Sequence, residues 1–323
     1  MACFLISFLL TVLFGLILLP LLKRLKLKQS ILGYVKEHKQ KEGTPTMGGI
    51  IFLLSSTISF FIFKKGESSL AILSLIIMVS FCIVGFLDDF IKIKYARNLG
   101  LTSLQKILFQ TAISIIISVF LYKNAMTSIY IPFTLKFLDL GVLSVFLNFF
   151  IFIATVNSVN LIDGLDGLCS QTTFVFLLVI SAIGFIEITH NANSYSNILE
   201  YKNLFLYAIS VSASLLGFLV FNGHKASVFM GDTGSLMLGG VISTVSIFSA
   251  NQIYILIVGI TYVLTALSVI IQVLVYKRTK KRVFLMSPIH HHFQMKGITE
   301  NKIATVYSLI TLCIGLFVII CII

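Results

Sequence analysis

Charged residues are scarce in this chain, and their scarcity excludes most classes of protein. Only 11% of its 323 residues are charged, 58% are hydrophobic, and the mean hydropathy is +1.03. A soluble globular domain carries roughly 25% charged residues and needs a polar coat around its core. The composition therefore excludes a soluble enzyme, a disordered chain and a disulfide scaffold. A polytopic membrane protein is the class that remains.

Proline and paired cysteines are also lacking. With four Pro residues and no low-complexity stretch, the sequence offers no linker, so we predict one transmembrane domain over residues 1–323. The five Cys residues lie in or beside apolar runs without paired spacing. We expect them to be buried thiols with no redox or metal role.

Long apolar runs dominate what is present. A helix needs about 20 apolar residues to cross the hydrocarbon core of a bilayer. The chain has ten such runs, which predict an all-α protein with ten transmembrane helices. The predicted spans are residues 2–22, 47–63, 68–87, 105–122, 138–156, 171–189, 203–221, 233–250, 253–276 and 303–323.

The positive charges are unevenly distributed among the predicted loops. The net charge is +12, which in a soluble protein would suggest a nucleic-acid partner. Here the odd-numbered loops hold 19 of the 24 Lys and Arg residues. Basic loops stay in the cytoplasm, so we predict that both termini lie on the outer side. Part of the charge thus reports topology, and we expect no nucleic acid to bind.

Acids are few, and five of the six Asp residues lie at the predicted cytoplasmic face. Asp88 and Asp89 end the third apolar run, where two adjacent carboxylates repel each other. A metal ion or a cationic partner would relieve that repulsion, and a solvated helix end is the alternative. Asp163 and Asp166 follow the fifth run, each before a Gly. Their oxygens suit Mg²⁺, a sugar or a base edge, whereas two Asx turns are the plainer interpretation.

Three further motifs carry polar side chains. Asp232, in FMGDTGS at 229–235, is either an N-cap or part of a site for phosphate and Mg²⁺. Lys41 and Thr46, in KEGTPTMGG, offer phosphate donors or simply start a helix. The three consecutive His residues at 290–292 cannot all face one metal, so they either donate hydrogen bonds to phosphates or lie in a solvated loop.

On the outer side, residues 128–133 predict a short strand or a plain loop.

Carboxylates, cations, Gly turns and His residues thus converge on one membrane face. Carboxylates with Mg²⁺ and Lys are the usual equipment for phosphoryl transfer. We expect one partly lipidic substrate, because the site is at the membrane, and a soluble phosphorylated donor from the cytoplasm.

Five strings, in the same order along the chain, resemble the phospho-N-acetylmuramoyl-pentapeptide transferase family, also called translocase I. They are GTPTMGG at 43–49, DD at 88–89, NSVNLIDGLDGL at 157–168, FMGDTGS at 229–235 and SPIHHHF at 287–293. The acidic strings are shared with the wider superfamily of polyprenyl-phosphate sugar-1-phosphate transferases. The first and last strings point to the muramoyl-pentapeptide branch.

The resemblance implies a reaction, a cofactor and partners. The family moves phospho-N-acetylmuramoyl-pentapeptide from UDP-MurNAc-pentapeptide to undecaprenyl phosphate, which gives lipid I and UMP and requires Mg²⁺. The implied setting is peptidoglycan synthesis in the bacterial inner membrane, with membrane lipid as a further partner. A homodimer is also among the expectations, although the residues leave the oligomeric state open.

The resemblance also implies roles for individual residues. Asp232 is similar to the Mg²⁺-binding acid, and Asp88 is a candidate base in the acidic pair near the lipid phosphate. The implied catalytic residues are Asp88, Asp89, Asp232 and His291, and the implied substrate-binding residues are Lys41, Thr46, Lys92, Asn157, Asn160, Asp163, Asp166, Phe229, His290 and His292. Within that set, Asn160, Asp163 and Phe229 resemble a uridine pocket in which the Phe ring stacks on uracil. Lys41 and Lys92 would neutralise the diphosphate, and the three His residues would lie near the phosphates.

One position departs from the family pattern, and two other interpretations stay open. Gln294 stands where the family usually has Glu, which removes the charge on which an ionic role there depends. The first alternative is a superfamily enzyme that uses a UDP-N-acetylhexosamine donor. The second is a transporter or channel, because acids within membrane spans mark ion pathways.

Overall fold

The computed structural model describes residues 1–24, 43–95, 100–134, 136–190 and 197–323. Regular structure in these ranges is almost entirely helical, since a chain in lipid must satisfy its backbone hydrogen bonds within itself. The helices are α1 (Ala2–Arg24), α2 (Gly49–Phe63), α3 (Ser69–Lys94), α4 (Ser103–Lys123), α5 (Leu143–Ile162), α6 (Leu168–His190), α7 (Ile198–Asn222), α8 (Gly231–Phe248), α9 (Gln252–Ile257), α10 (Ile260–Thr279), α11 (Ile289–Met295) and α12 (Glu300–Ile322). Two strands, β1 (Ser128–Ile131) and β2 (Lys136–Asp139), lie between α4 and α5.

Eight helices in the described ranges are long and apolar enough to cross a membrane. They are α1, α3, α4, α5, α6, α7, α10 and α12. Helix α2 is apolar but has only 15 residues, and α8 has an acid in its first turn. The prediction of an all-α membrane protein with several spans is therefore confirmed. The count of ten spans and the outward direction of the termini stay predictions.

Helix α8 forms the centre of the bundle. Every residue from 233 to 248 is buried, and α3 and α5 are among the helices that pack against α8. Most of the residues in α6 and α7 are also buried, whereas most of those in α1 and α10 are not. Apolar side chains such as Leu9 in α1 and Ile116 in α4 are exposed on the outside of the bundle, and so large an exposed apolar surface would be unfavourable in water. These outer helices therefore present the surface that lipid covers.

Small hydroxyl side chains let some helices approach closely. The hydroxyl groups of Thr11 in α1 and Ser55 in α2 lie 2.6 Å apart. Ser7, one turn earlier in α1, donates a 2.6 Å hydrogen bond to the carbonyl of Ser210 in α7. Hydrogen bonds between small residues are a common means of helix association in membranes.

The segment between α4 and α5 is a β-hairpin, which confirms the prediction of a short strand in place of a plain loop, with the strand itself at residues 128–131. Strands β1 and β2 pair antiparallel, and Tyr130 is opposite Phe137. The Tyr130 side chain is buried, and its backbone N–H donates a 2.7 Å hydrogen bond to the carbonyl of Ala250. The hairpin therefore packs against the turn between α8 and α9.

Two of the predicted spans have wrong boundaries. Helix α5 begins at Leu143 and not at 138, because the hairpin occupies the preceding residues, and it continues to Ile162. The polar run at 157–167 was expected to be a loop, but its first six residues form the last turns of α5. Helix α3 likewise extends to Lys94, which places Asp88 and Asp89 within it. The alternative of a solvated helix end is wrong for these two acids, since both are buried.

The ninth predicted span, residues 253–276, is not one continuous helix. It is divided into α9 and α10, with Val258 and Gly259 between them. Gly259 is the N-cap of α10, and a Cβ atom there would collide with the carbonyl oxygen of Ile255. Apolar content alone does not reveal this interruption.

Candidate active site

Three carboxylates meet where α3 ends and α8 begins. Asp88 and Asp89 lie in the last two turns of α3, and Asp232 lies in the first turn of α8. One oxygen from each of the three lies within 4.8 Å of the others. Asp88 and Asp89 are 0% and 1% exposed. Such a concentration of buried negative charge requires positive charge beside it.

Two lysines supply that positive charge. The Lys92 ammonium lies 2.6 Å from Asp88 Oδ2, 3.6 Å from Asp89 Oδ1 and 3.2 Å from Asp232 Oδ2. The Lys106 ammonium lies 3.1 Å from Asp88 Oδ2 and also pairs with Asp232. Within the described ranges, the site therefore brings three carboxylates and two ammonium groups together.

Asp89 is held by the N-terminus of α8. It accepts hydrogen bonds from the backbone N–H of Thr233 (2.9 Å), from the Thr233 hydroxyl (2.7 Å) and from the backbone N–H of Asp232 (3.3 Å). A carboxylate is favoured there by the helix dipole and by the unpaired N–H groups. Gly85, one turn earlier in α3, allows this approach, since a Cβ atom there would collide with the backbone of Asp232. Asp89 therefore fixes α8 against α3 and so positions Asp232.

Asn160 orients the Asp232 carboxylate from the end of α5. Its side-chain amide donates hydrogen bonds to Asp232 Oδ1 (2.9 Å) and to the Ser235 hydroxyl (2.8 Å). Asn157, one turn earlier, donates instead to Gln110 Oε1 (2.7 Å) and to the carbonyl of Ile153. The structure thus places Asn160 at the carboxylates, whereas Asn157 links α5 to α4.

Lys106 is the site residue that sequence reasoning missed, since it was counted only as a loop cation. It lies in the first turn of α4, which begins with a capping box between Thr102 and Gln105. Asp88 Oδ1 accepts a 2.8 Å hydrogen bond from the backbone N–H of Leu101 just before that helix. The capping box could be read from the sequence, but the approach of α4 to α3 could not.

The two Gly-rich segments that flank α2 and α8 pair with each other. The backbone N–H of Phe229 donates to the carbonyl of Pro45, and the N–H of Gly48 donates to the carbonyl of Phe229, both at 2.9 Å. Thr46 is buried, and Phe229 is half-buried just before Asp232. Lys41, predicted to bind the diphosphate, lies outside the described residues.

The two acids of the 163–167 loop differ in their surroundings. Asp166 Oδ2 accepts a 3.1 Å hydrogen bond from the backbone N–H of Ala226, and Asp166 N–H donates to Glu300 Oε2. Asp166 thus connects three segments of this end of the bundle. Burial, followed by the nearby charges of Asp232 and Asp89, raises the pKa of the half-buried Asp163 carboxyl well above its usual range.

The three His residues lie on α11, and the structure separates their roles. His290 is fully buried, and that burial, together with His291, holds its pKa well below the usual range. His291 packs against it with ring centroids 4.4 Å apart. His292 Nδ1 accepts a 3.1 Å hydrogen bond from the backbone N–H of Leu285, so this ring anchors the preceding loop. The alternative of a solvated loop is wrong for His290 and His291, which are buried residues of α11.

The cluster lies in the part of the chain that matches a known family. Residues 69–250 match the family model described as Glycosyl transferase family 4. Residues 41–53 match a model described as phospho-N-acetylmuramoyl-pentapeptide-transferase signature 1. Curated relatives with that same transferase name extend over nearly the whole chain. One from Carboxydothermus hydrogenoformans is 41% identical over 320 residues, which cover 95% of this chain and 94% of the relative.

The chain belongs to the phospho-N-acetylmuramoyl-pentapeptide-transferase family. A relative of the same name from Bacillus subtilis (strain 168) is 39% identical over 322 residues, which cover 97% of this chain and 96% of that protein. A third, from Clostridium botulinum (strain Eklund 17B / Type B), is 40% identical over 313 residues. Membership of this transferase family confirms the resemblance and confirms that the chain is an enzyme.

The carboxylate cluster is also suited to a metal ion. Its donor atoms are all oxygens, which hard divalent cations such as Mg²⁺ prefer. Among the residues that the structure describes, two ammonium groups face three carboxylates, so an additional cation is electrostatically favoured. Asp88, Asp89 and Asp232 are therefore the described residues that could hold a metal at this site.

Proposed function

We propose that the protein transfers phospho-N-acetylmuramoyl-pentapeptide from UDP-MurNAc-pentapeptide to undecaprenyl phosphate, giving lipid I and UMP. The observation that carries this proposal is the cluster of three carboxylates and two lysines in a chain of the transferase family. The proposed location is the bacterial inner membrane, with residues 1–323 forming one catalytic domain. A homodimer stays a prediction.

In the proposed reaction, an oxygen of undecaprenyl phosphate forms a bond to the phosphorus that carries the sugar. The bond from that phosphorus to the oxygen of the departing UMP breaks at the same centre. Both substrates are anionic, so Lys92 and Lys106, which lie at the carboxylate cluster, are proposed to bind their phosphates and to stabilise the charge that develops. A lipid phosphate is already ionised near neutral pH. Asp88 is therefore proposed to hold the two ammonium groups, with little need for a base.

Mg²⁺ is the proposed cofactor, and Asp232 is its proposed principal ligand. Bound Mg²⁺ would supply Lewis-acid stabilisation of the diphosphate. The amide of Asn160 keeps one Asp232 oxygen in a fixed direction, and Asp89 keeps the start of α8 in place. These contacts reduce the reorganisation that binding would otherwise require.

The donor nucleoside is proposed to bind beside the metal, between the end of α5 and the segment before α8. Asp163 and Asn160 offer hydrogen-bonding groups for uridine, and the half-buried Phe229 ring offers a stacking surface. Thr46 adds a hydroxyl near the start of α8, where a Cβ atom on Gly231 would lie 2.5 Å from Thr46 Oγ1.

UMP release by the purified protein tests this proposal. The assay contains undecaprenyl phosphate and either UDP-MurNAc-pentapeptide or UDP-N-acetylglucosamine, each with Mg²⁺ or with a chelator. We expect UMP and lipid I only from the first donor and only with Mg²⁺. Turnover of UDP-N-acetylglucosamine alone would favour the other branch of the superfamily. Ion-driven uptake into vesicles without UMP release would favour a transporter.

A further inference from the structure

One acid lies buried in a membrane helix far from the carboxylate cluster. Glu187, in the last turn of α6, is 2% exposed. Its Oε2 atom accepts a 2.8 Å hydrogen bond from the side-chain amide of Asn251, which is 0% exposed and lies between α8 and α9. From Asp232 to Phe248, α8 covers about 24 Å, so the pair lies at the end of the bundle opposite the cluster. An ionisable side chain within a membrane segment is costly and is therefore a candidate for a function.

The surroundings of Glu187 offer no compensating positive charge among the described residues. None of the Lys, Arg and His residues in those ranges forms an ion pair with it, and His190, one turn further along α6, is exposed. The hydrogen bond to Asn251 also joins the C-terminal ends of α6 and α8, and each end carries the partial negative charge of its helix dipole. Glu187 therefore adds a full negative charge where two helix dipoles already disfavour one.

The pair also has two buried oxygen atoms without a hydrogen-bond partner in the described part of the chain. They are Glu187 Oε1 and Asn251 Oδ1. A carboxylate oxygen and an amide oxygen only accept, so each requires a donor or a cation. The hydroxyl oxygens of Ser246 and Tyr254, on either side of Asn251 in the sequence, are buried and unpartnered in the same ranges. Because buried polar atoms are normally satisfied, this end of the bundle is suited to a further group that oxygens bind.

Charge and atom type select the class of that group. Water would donate hydrogen bonds to both oxygens, but it would leave the buried charge of Glu187 uncompensated. A divalent ion would leave an excess positive charge, since Glu187 is the one carboxylate that the described residues provide here. A monovalent alkali cation balances one carboxylate, and oxygen atoms at the C-terminal ends of helices are known Na⁺ ligands in membrane proteins.

We propose that Glu187 Oε1 and Asn251 Oδ1 bind a monovalent alkali cation, such as Na⁺, between the C-terminal ends of α6 and α8. The cation neutralises the buried carboxylate and connects α6 to the central helix of the bundle. The hairpin packs on the same turn, where the carbonyl of Ala250 accepts the hydrogen bond from the backbone N–H of Tyr130. The site therefore stabilises this end of the bundle. It is separate from the proposed Mg²⁺ site and does not depend on the proposed reaction.

Thermal unfolding of the full-length protein in detergent tests the site. Samples in NaCl, KCl and choline chloride are compared at equal ionic strength, because choline is too large to bind between two buried side chains. We expect NaCl to raise the Tm of the wild type by about 2–4 °C over choline chloride, the shift expected for a ligand well above its dissociation constant. A rise in KCl, with or in place of the rise in NaCl, also supports an alkali cation site.

Glu187→Gln removes the charge and keeps the size of the side chain. In choline chloride this variant should be at least as stable as the wild type, because it has no uncompensated charge to bury. NaCl should not raise its Tm above the value in choline chloride. Glu67→Gln, which replaces an exposed acid, is the matched control and should respond to NaCl as the wild type does.

Asn251→Asp gives a second measurement. Two carboxylates at this site repel each other unless a cation lies between them, so the variant should be less stable than the wild type in choline chloride. It should also gain more Tm from CaCl₂ than the wild type does, because two carboxylates balance a divalent ion. An equal gain in both proteins would overturn the proposal.

The wild type and Glu187→Gln decide the case if Asn251→Asp does not fold. A wild-type Tm that is the same in NaCl, KCl and choline chloride would overturn the cation site and would indicate that Glu187 carries a proton. An equal response of the wild type and Glu187→Gln to NaCl would also overturn it, since the ion would then bind elsewhere.

Discussion

The side chain of Asn160 donates a 2.9 Å hydrogen bond to Asp232, which joins the end of α5 to the start of α8. Asp232 belongs to a group of five charged side chains from α3, α4 and α8 that form ion pairs with one another. The opposite carboxylate oxygen of Asp232 faces the ammonium groups of Lys92 and Lys106. Asp232 therefore has one oxygen oriented by an amide and the other by cations.

Lys106 should be required for turnover, although the sequence did not single it out. Replacing it by Met removes one of two ammonium groups that contact Asp232. We expect kcat for UMP release to fall about 10²–10³-fold, as when one charge-stabilising donor is lost. Lys123→Met, in the exposed last turn of the same helix, is the matched control. Equal activity in the two variants would exclude a role for Lys106 in the reaction.

Thr233 should stabilise the junction of α3 and α8. Its hydroxyl donates a 2.7 Å hydrogen bond to the buried carboxylate of Asp89. Thr233→Val should therefore cost about 1–3 kcal/mol of unfolding free energy, measured by thermal unfolding in detergent. Thr244→Val is the control, because within the described part of the chain that hydroxyl bonds only to carbonyls of its own helix. A smaller loss of unfolding free energy in Thr233→Val than in Thr244→Val would contradict the anchoring role of Asp89.

Two Asp residues should have opposite effects on stability as pH changes. The pKa of Asp163 is raised by burial, so the folded protein binds a proton that the unfolded chain releases. Stability should then fall as pH rises from the ordinary Asp value of about 3.9 towards the raised pKa. Thermal unfolding of wild type and Asp163→Asn with a chelator present tests this, since the Asn variant should not show that loss.

Asp139 supplies the opposite case at the other end of the bundle. Its carboxylate accepts hydrogen bonds from the Thr127 hydroxyl and the Gly141 N–H, which lower its pKa. The contribution of Asp139 to folding stability should be present at pH values above the ordinary Asp pKa and should be lost as the pH falls through the lowered pKa. Asp139→Asn should therefore be less stable than wild type at neutral pH and should approach it in acid. The same pH dependence in both Asp variants would contradict these assignments.

The sequence predicted the acids of the site better than their partners. Asp88, Asp89 and Asp232 were recognised because acids are rare in an apolar chain and these fall in short polar motifs. The ion pairs of Lys106 were not predicted, because they depend on how α4 packs against α3. The break before Gly259 and the anchoring of His292 to Leu285 also arise from tertiary contacts. Hydropathy revealed most of the helices, but it could not locate the start of α5, because the hairpin that precedes α5 is also apolar.

The most direct test of the account is UMP release by Asp232→Asn compared with wild type, at saturating UDP-MurNAc-pentapeptide and undecaprenyl phosphate, with and without Mg²⁺. Asp139→Asn is the matched control for loss of an acid elsewhere. We expect wild type and Asp139→Asn to release UMP only with Mg²⁺. Thermal unfolding should show that Asp232→Asn is folded. Its rate of UMP release should be lower than that of wild type by at least about 10²-fold. Normal Mg²⁺-dependent turnover by Asp232→Asn would contradict the central claim.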